Sequence, residues 1–319
     1  MPLHLTTGDP DFERAFAAFL AAKREVSEDV DAAVRAIIAQ VRENGDKAVI
    51  ELTRRFDRLD LAATGMRVTQ AEIAAAVAAC DIDTMAALEL ACARIESHHR
   101  RQLPVDDQYT DALGARLGTR WTAIESVGLY VPGGLASYPS SVLMNAVPAR
   151  VAGVPRVAMV VPSPGGEMNP LVLAAAHLSG VSEIYRIGGA QAVAALAYGT
   201  QSVPAVAKIV GPGNAYVAAA KRQVFGVVGI DSIAGPSEVL VIADRNNDPE
   251  WLAADLLAQA EHDSAAQAIL MTDDAGLAAQ VEAAVARQLA ALPRGNIAGA
   301  SWETFGAVIV IRALDEAVP

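Results

Sequence analysis

The sequence predicts an α/β protein built of two Rossmann-like, doubly wound units with an N-terminal helical region. Three observations lead there: the first hundred residues are punctuated as helices, short β-rich runs begin near Gly114, and strand-length apolar runs then alternate with helical segments. Those later runs show no polar-apolar alternation. A strand that is apolar on both sides of its pleat needs cover on both faces, which a parallel sheet flanked by crossover helices supplies.

Taken in order, Asp9-Pro10 opens a first helix, Ser27 a second that ends near Gly45, and the capping box Thr69-x-x-Glu72 a third. Five helices are expected before Pro104, the last over 83–102. That helix ends in His98, His99, Arg100 and Arg101, where positive charge complements the helix dipole. Adjacent histidines on a helix point in different directions, so this is a solvated helix end rather than a metal site. Short β runs are expected over 116–124 and 127–131, and buried strands over 156–161, 183–187, 207–210, 238–243, 267–272 and 307–311. His177, inside the apolar helical run 171–178, reads as a core histidine, and His4 as part of a mobile end. No internal repeat or low-complexity linker interrupts the pattern.

Composition narrows the function. A chain of 319 residues with 53% apolar and 19% charged residues can bury a sizeable core and is globular rather than disordered. Its net charge of −12 opposes binding to a phosphate backbone, which needs clustered Lys and Arg. The longest apolar stretch, 142–161, is cut by Pro148, Arg150, Pro155 and Arg156, so nothing approaches the roughly 20 apolar residues that span a bilayer. Residues 1–10 lack a basic region followed by an apolar core, and a cytoplasmic location is expected. Cys80 and Cys92 fall inside predicted helices, where a small buried hydrophobe is the expected role.

Two local patterns carry chemistry. Gln259 and His262 are three residues apart at the end of a strand-helix segment and are expected to share a helix face. A neutral imidazole is a favoured zinc ligand, and an amide oxygen can supply a second donor to the same ion. Standing alone, the pair reads as a polar helix end bonded to backbone. Gly211-Pro-Gly-Asn214 follows an apolar strand and precedes a helix, so its glycines permit close approach of a phosphate or ribose. It is not the usual dinucleotide fingerprint, because Tyr216 stands where the third glycine would be. Alone, it reads as an ordinary strand-to-helix turn.

The context changes both readings. The stretch from Ile230 through Ser237 and Glu238 to Gln259-Ala-Glu-His262 resembles the histidinol dehydrogenase family, the zinc- and NAD-dependent enzymes that complete histidine biosynthesis. Val127-Gly-Leu-Tyr-Val-Pro-Gly-Gly134, Tyr138-Pro-Ser-Ser-Val-Leu-Met-Asn145, Gly188-Gly-Ala-Gln191 and Gly211-Pro-Gly-Asn-Ala-Tyr-Val217 look like its other motifs, in the same order. The resemblance covers essentially the whole chain. It implies NAD contacts at Tyr130, Gln191 and Asn214, for which the residues alone leave a half-buried aromatic, a helix-start amide and a turn residue as alternatives. It implies further that Ser237 hydrogen-bonds the substrate and that Gln259 and His262 bind both zinc and substrate.

The implied reaction is the oxidation of L-histidinol through histidinal to L-histidine with two NAD molecules, in a homodimer. No activated thiolate lies near either cysteine, which favours water as the nucleophile in the second oxidation. The family's Glu-His pair and its remaining zinc ligands, an Asp and a His, would fall beyond Pro319, so no catalytic residue is assigned and the chain is expected to be a truncated form. Glu261, although beside His262, falls in the zinc-ligand segment instead. The resemblance also implies a division into a 1–25 helical arm, a discontinuous α/β domain of 26–106 with 238–319, and an inserted NAD-binding domain of 107–237. Other readings of the same loops are a dehydrogenase of another small alcohol, such as a sulfonated diol, and a non-catalytic nucleotide-binding module.

Overall fold

The computed structural model describes residues 1–21, 28–133, 138–233 and 237–318. Gly134 of the first motif, the Ser27 helix start and the Ala234, Gly235 and Pro236 that precede Ser237 lie outside the described residues. The chain divides into two units, one from the described parts of 1–25 and 234–319 and the other from those of 26–233.

In chain order the first unit begins with β1 (Leu3–Thr6) and α1 (Phe12–Ala21). The second unit runs α2 (Glu28–Asn44), α3 (Asp46–Phe56), a single turn α4 (Leu61–Thr64), α5 (Gln70–Ala79) and α6 (Ile82–Arg100). It continues with the strands β2 (Asp107–Thr110) and β3 (Arg116–Thr119), which pair as an antiparallel hairpin exposed throughout. Alternation follows: β4 (Ser126–Tyr130), α7 (Pro139–Val151), β5 (Arg156–Val160), α8 (Pro170–Leu178), β6 (Glu183–Tyr185), α9 (Gly189–Tyr198), β7 (Lys208–Val210), α10 (Ala215–Val224) and β8 (Gly229–Ile230). The first unit resumes with β9 (Glu238–Ala243), α11 (Pro249–Ala260), β10 (Gln267–Thr272), α12 (Ala275–Ala291), α13 (Gly295–Phe305) and β11 (Ala307–Val310). None of the described helices is long and apolar enough to cross a membrane.

In the second unit the strands lie in the order β6-β5-β4-β7-β8, all parallel. The pleat sorts their side chains between two cores. Val127, Leu129, Val131, Met159 and Ile184 face one side with Val142 and Leu143 of α7 and Val172 and Leu173 of α8. Tyr130, Ala158, Val160, Tyr185 and Ile209 face the other with Val193 of α9 and Ala219 of α10. Both faces are apolar because both are covered, as the unbroken runs in the sequence required. At Gly128 a Cβ would lie 2.9 Å from the Leu196 side chain, so the missing side chain is what lets α9 lie close on β4.

The long amino-terminal helices form outer layers of this same unit. Val34, Ile37, Ile38 and Val41 occupy the i, i+3, i+4, i+7 stripe of α2 and pack into the α9/α10 core, while Ile73, Ala76 and Cys92 of α5 and α6 pack into the α7/α8 core. The expected division, with 26–106 joined to 238–319 and apart from 107–237, therefore differs from the packing: helices α2 to α6 bury their apolar stripes on the β4–β8 sheet. The capping box at Thr69 forms as expected, with the Glu72 carboxylate accepting from the Thr69 N–H at 2.8 Å and the Thr69 hydroxyl accepting from the Glu72 N–H at 3.2 Å.

In the first unit four parallel strands lie in the order β1-β11-β10-β9. The amino-terminal segment is thus a strand followed by a helix, not a helical arm alone, and His4 sits in β1 with its Nε2 2.9 Å from Glu282 rather than in a mobile end. Leu252, Leu256 and Leu257 of α11, Val281 and Val285 of α12 and Trp302 of α13 pack with Leu270 and Val308 on one face. On the other face Phe12, Phe16 and Phe19 of α1 pack over Leu5, Ile309 and Met271. That cover stops short of the edge strand β9, so Leu240 and Ile242 are each 46% exposed and the expected two-sided burial of 238–243 does not hold. His177, expected in the core, is exposed on the outer side of α8.

Candidate functional site

The carboxyl edge of the β4–β8 sheet is where this topology makes a crevice. Helices α7 and α8 lie on one face and α9 and α10 on the other, with β5 and β6 to one side of β4 and β7 and β8 to the other. The order in which strands are added thus reverses between β4 and β7, and open parallel sheets bind ligands outside the carboxyl ends of strands at such a point. Tyr130 is the last residue of β4, and Gly211-Pro-Gly-Asn214 follows β7.

The two strand ends touch. Gly211 has φ +112°, and a Cβ there would stand 2.1 Å from the Tyr130 carbonyl oxygen. Tyr130 is 4% exposed, and its hydroxyl accepts a hydrogen bond from the Gly189 N–H at 3.0 Å, which ties β4 to the start of α9. Burial pushes its phenol up to about 12; the Gly189 N–H opposes the shift and the negative charge of Asp57 adds to it, so the phenol stays protonated at neutral pH. Gln191, 2% exposed, lies in the first turn of α9. Asn214 is the N-cap of α10, its carboxamide oxygen accepting from the Tyr216 and Val217 N–H groups at 3.1 and 3.2 Å, with the residue itself exposed. Tyr130, the Gly189–Gln191 segment and Asn214 thus come to one sheet edge, Tyr130 and Gln191 as buried walls and Asn214 at the surface.

Two features of this edge are absent from the sequence reading. One is an ion pair between a buried lysine and a partly exposed aspartate. Lys221, its side chain 3% exposed, donates to the Gly211 carbonyl at 3.0 Å and pairs with Asp231. Asp231 in turn accepts from the Gly211 N–H at 2.8 Å and the Ser232 N–H at 2.7 Å. Burial works against the Asp231 carboxylate, but Lys221 and those N–H groups outweigh it and hold its pKa below the ordinary value. Gly211 is clamped through both its backbone polar groups. The signal was present: Lys221 falls on the stripe of α10 occupied by Val217 and Val224, and a charge on an apolar stripe needs a partner. The other feature is Asp57, the residue after α3, whose backbone carbonyl accepts from the Gly165 N–H at 2.8 Å. Its Oδ2 is closed off from solvent without a hydrogen-bond partner, and burial pushes its carboxyl up.

Ser237, Gln259 and His262 belong to the other unit and gather at the amino edge of its sheet. Ser237 precedes β9, is exposed, and its carbonyl accepts from the Gln267 N–H at 3.0 Å where β10 begins. Helix α11 returns to that edge and stops at Ala260, with Glu261 as its C-cap. Gln259 is therefore in the last helical turn and His262 just beyond it, closing the turn through its N–H to the Gln259 carbonyl at 3.2 Å. This corrects the expectation that the two share a helix face. The Gln259 amide nitrogen is buried and unpartnered, and the His262 ring is exposed. The amide oxygen of Gln259 and a ring nitrogen of His262 are the donor chemistry of half a zinc site, whereas the buried Nε2 of Gln259 is an N–H donor and no metal ligand. Among the described residues no cluster of three or more His, Cys, Asp or Glu could complete it.

His98 and His99 meet edge to face at the end of α6, and both bond Gln102. Cys80 and Cys92 are free thiols, the second buried among the α5 to α8 side chains.

Residues 20–319 match the family model described as histidinol dehydrogenase. The histidinol dehydrogenase of Brucella suis is 68% identical over 311 residues, covering 98% of this chain and 72% of that one. That of Rhizobium meliloti is 67% identical over 319 residues, covering 100% of this chain and 74% of that one. The crystal structure of histidinol dehydrogenase from Elizabethkingia anophelis superposes with a TM-score of 0.87 at 35% identity, covering 99% of this chain and 72% of that one.

Proposed function

The chain belongs to the histidinol dehydrogenase family, a family of oxidoreductases, and we propose that it oxidises L-histidinol to L-histidine through histidinal, reducing two NAD molecules with the help of zinc. The observation that carries the cofactor half of this reading is the contact of Tyr130, Gly189 and Gly211 at the β4/β7 crevice. In it, Tyr130 and Gln191 wall the dinucleotide site. Asn214, with its oxygen occupied by capping, offers its amide N–H groups and orients the amino end of α10 toward a phosphate or ribose.

Gln259 through its amide oxygen and His262 through a ring nitrogen would hold the zinc ion, and the donor chemistry of this pair at the end of α11 is what supports that assignment. Bound there, zinc would fix the imidazole and amine of the substrate and stabilise negative charge on its oxygen. Ser237 supplies an exposed hydroxyl at the same edge to hydrogen-bond the substrate. Their service is positioning, so that the carbinol hydrogen can be delivered as hydride. No residue of 1–319 is given the role of general base. The same reading makes the working enzyme a cytoplasmic homodimer.

Absorbance of NADH at 340 nm, followed with the protein, L-histidinol, zinc and NAD, tests the proposal. Two NADH per histidinol consumed is the expected result. Absence of turnover, or preference for a sulfonated diol, would overturn it. Zinc stoichiometry of His262→Asn separately tests the ligand assignment, with at least a tenfold loss of affinity expected for removal of one of few donors.

A further inference from the structure

In doubly wound folds an acidic residue at the carboxyl end of the second strand commonly receives the adenosine ribose of NAD, and its charge rejects the 2′-phosphate of NADP. Here the second strand is β5, adjacent to the central β4. The loop that follows, Val161 to Gly166, contains no acid. The structure brings one there from elsewhere in the chain: the Gly165 N–H in that loop donates to the Asp57 carbonyl at 2.8 Å, which holds the residue after α3 against the end of β5.

The Asp57 side chain has the character of a group waiting for donors. Its Oδ2 is inaccessible to solvent and unpartnered, and among the described residues neither carboxylate oxygen receives a hydrogen bond or an ion pair. Other structural carboxylates nearby are satisfied: Glu72 by Thr69 and Arg186, Glu183 by Arg156 and Tyr185, Asp231 by Lys221 and Gly211. A partly buried carboxylate without donors is unfavourable unless something else supplies them. A ribose presents two adjacent hydroxyl donors, and two carboxylate oxygens accept them as a pair. The negative charge of Asp57 also raises the Tyr130 phenol, in keeping with its place at the loop after β5.

We infer that Asp57 is the ribose-binding acid of this dinucleotide site and sets its preference for NAD over NADP, the role having moved from the β5 loop to the end of α3. The assignment rests on the dinucleotide reading of the β4/β7 crevice. It is tested by calorimetric titration of NAD and of NADP into the wild-type chain, Asp57→Asn and Asp57→Ala, each first checked for its thermal midpoint. Because the Asp57 carboxylate has no partner among the described residues, both variants should melt at or above the wild-type temperature. NAD affinity should fall about 10- to 100-fold, as for loss of hydrogen bonds to a charged group, while NADP affinity stays level or rises. An unchanged NAD-to-NADP ratio in folded variants would overturn the role of Asp57 and leave the crevice standing. Failure of the wild-type chain to bind either nucleotide would overturn the crevice reading and this assignment with it.

Discussion

Gly211→Ala is the substitution that bears most directly on how the β4/β7 crevice is built. The added methyl would stand 2.1 Å from the Tyr130 carbonyl oxygen, well inside van der Waals contact, and the opposing atom is backbone in the middle of a sheet. At φ +112° an L-residue is itself strained by about 1–3 kcal/mol. Relief by rotating the peptide is blocked, because the Gly211 N–H is held by Asp231 and its carbonyl by Lys221. Releasing either forfeits a charge-assisted bond worth about 1.5–3 kcal/mol. Whichever route the chain takes, the loss is on the order of 3 kcal/mol or more. For a unit of about 200 residues that corresponds to a fall of roughly 6–12 °C in thermal midpoint. Gly226→Ala is the control, since Gly226 has a similar φ of +99° but no heavy atom within 4 Å of the point where a Cβ would stand. It should lose only the conformational part, about 1–3 kcal/mol. Differential scanning calorimetry of both variants reads the difference. Equal midpoints for the two would refute the argument that contact with Tyr130, rather than backbone conformation, makes glycine necessary at 211.

Lys221→Met strands Asp231, which is about a third exposed, so a loss of roughly 1–3 kcal/mol is expected by chemical denaturation, and Lys221→Met with Asp231→Asn together should lose less than the sum of the singles. Glu183 is pushed up by burial, but the Arg156 fork at 2.9 and 2.7 Å and the Tyr185 hydroxyl at 2.7 Å more than compensate and bring its carboxyl below the ordinary 4.5. A carboxyl more acidic in the folded than the unfolded state contributes stability that is complete above the unfolded value and disappears as pH falls through the folded one. Glu183→Gln should therefore lower the thermal midpoint near pH 7 and progressively less as pH drops below 4.5; an equal decrement at all pH values would contradict this. Leu256→Ala, at a fully buried position of α11, should cost about 2–5 kcal/mol in the thermal unfolding of its unit, and a change below 1 kcal/mol would show a core that can collapse around the gap.

The parts of the fold legible in sequence were those governed by one local rule. Unbroken apolar runs announced strands covered on both faces, and β4 shows why the rule works: Val127, Leu129 and Val131 enter one core while Tyr130 enters the other. The same rule failed at β9, whose apolar residues look no different in sequence but lie at a sheet edge beyond the reach of α1. Four residues of β1 are too few to show a period, so a strand that pairs with β11 some 300 residues later was hidden inside a helical reading. Which sheet the stripe Val34-Ile37-Ile38-Val41 would meet was equally undetermined, since a helical period states that a face is buried and not against what.

The site divides along the same line. Glycine-rich turns after apolar strands declare themselves, because only close approach or positive φ calls for glycine at the strand end, and Gly211 meets both conditions. Charged residues that serve the site from a distance do not declare a destination. Lys221 on the Val217–Val224 stripe demanded a counterion, but its partner comes from beyond β8, and spacing cannot choose among the chain's acids. Asp57 is harder still, for it lies about a hundred residues ahead of the loop whose role it takes and looks in sequence like the end of an exposed helix. What identifies both is the three-dimensional pairing of their charges: Lys221 and Asp231 satisfy each other and Gly211, whereas the Asp57 carboxylate has no partner among the described residues. In a folded chain the first arrangement builds a wall, and the second leaves room for a ligand.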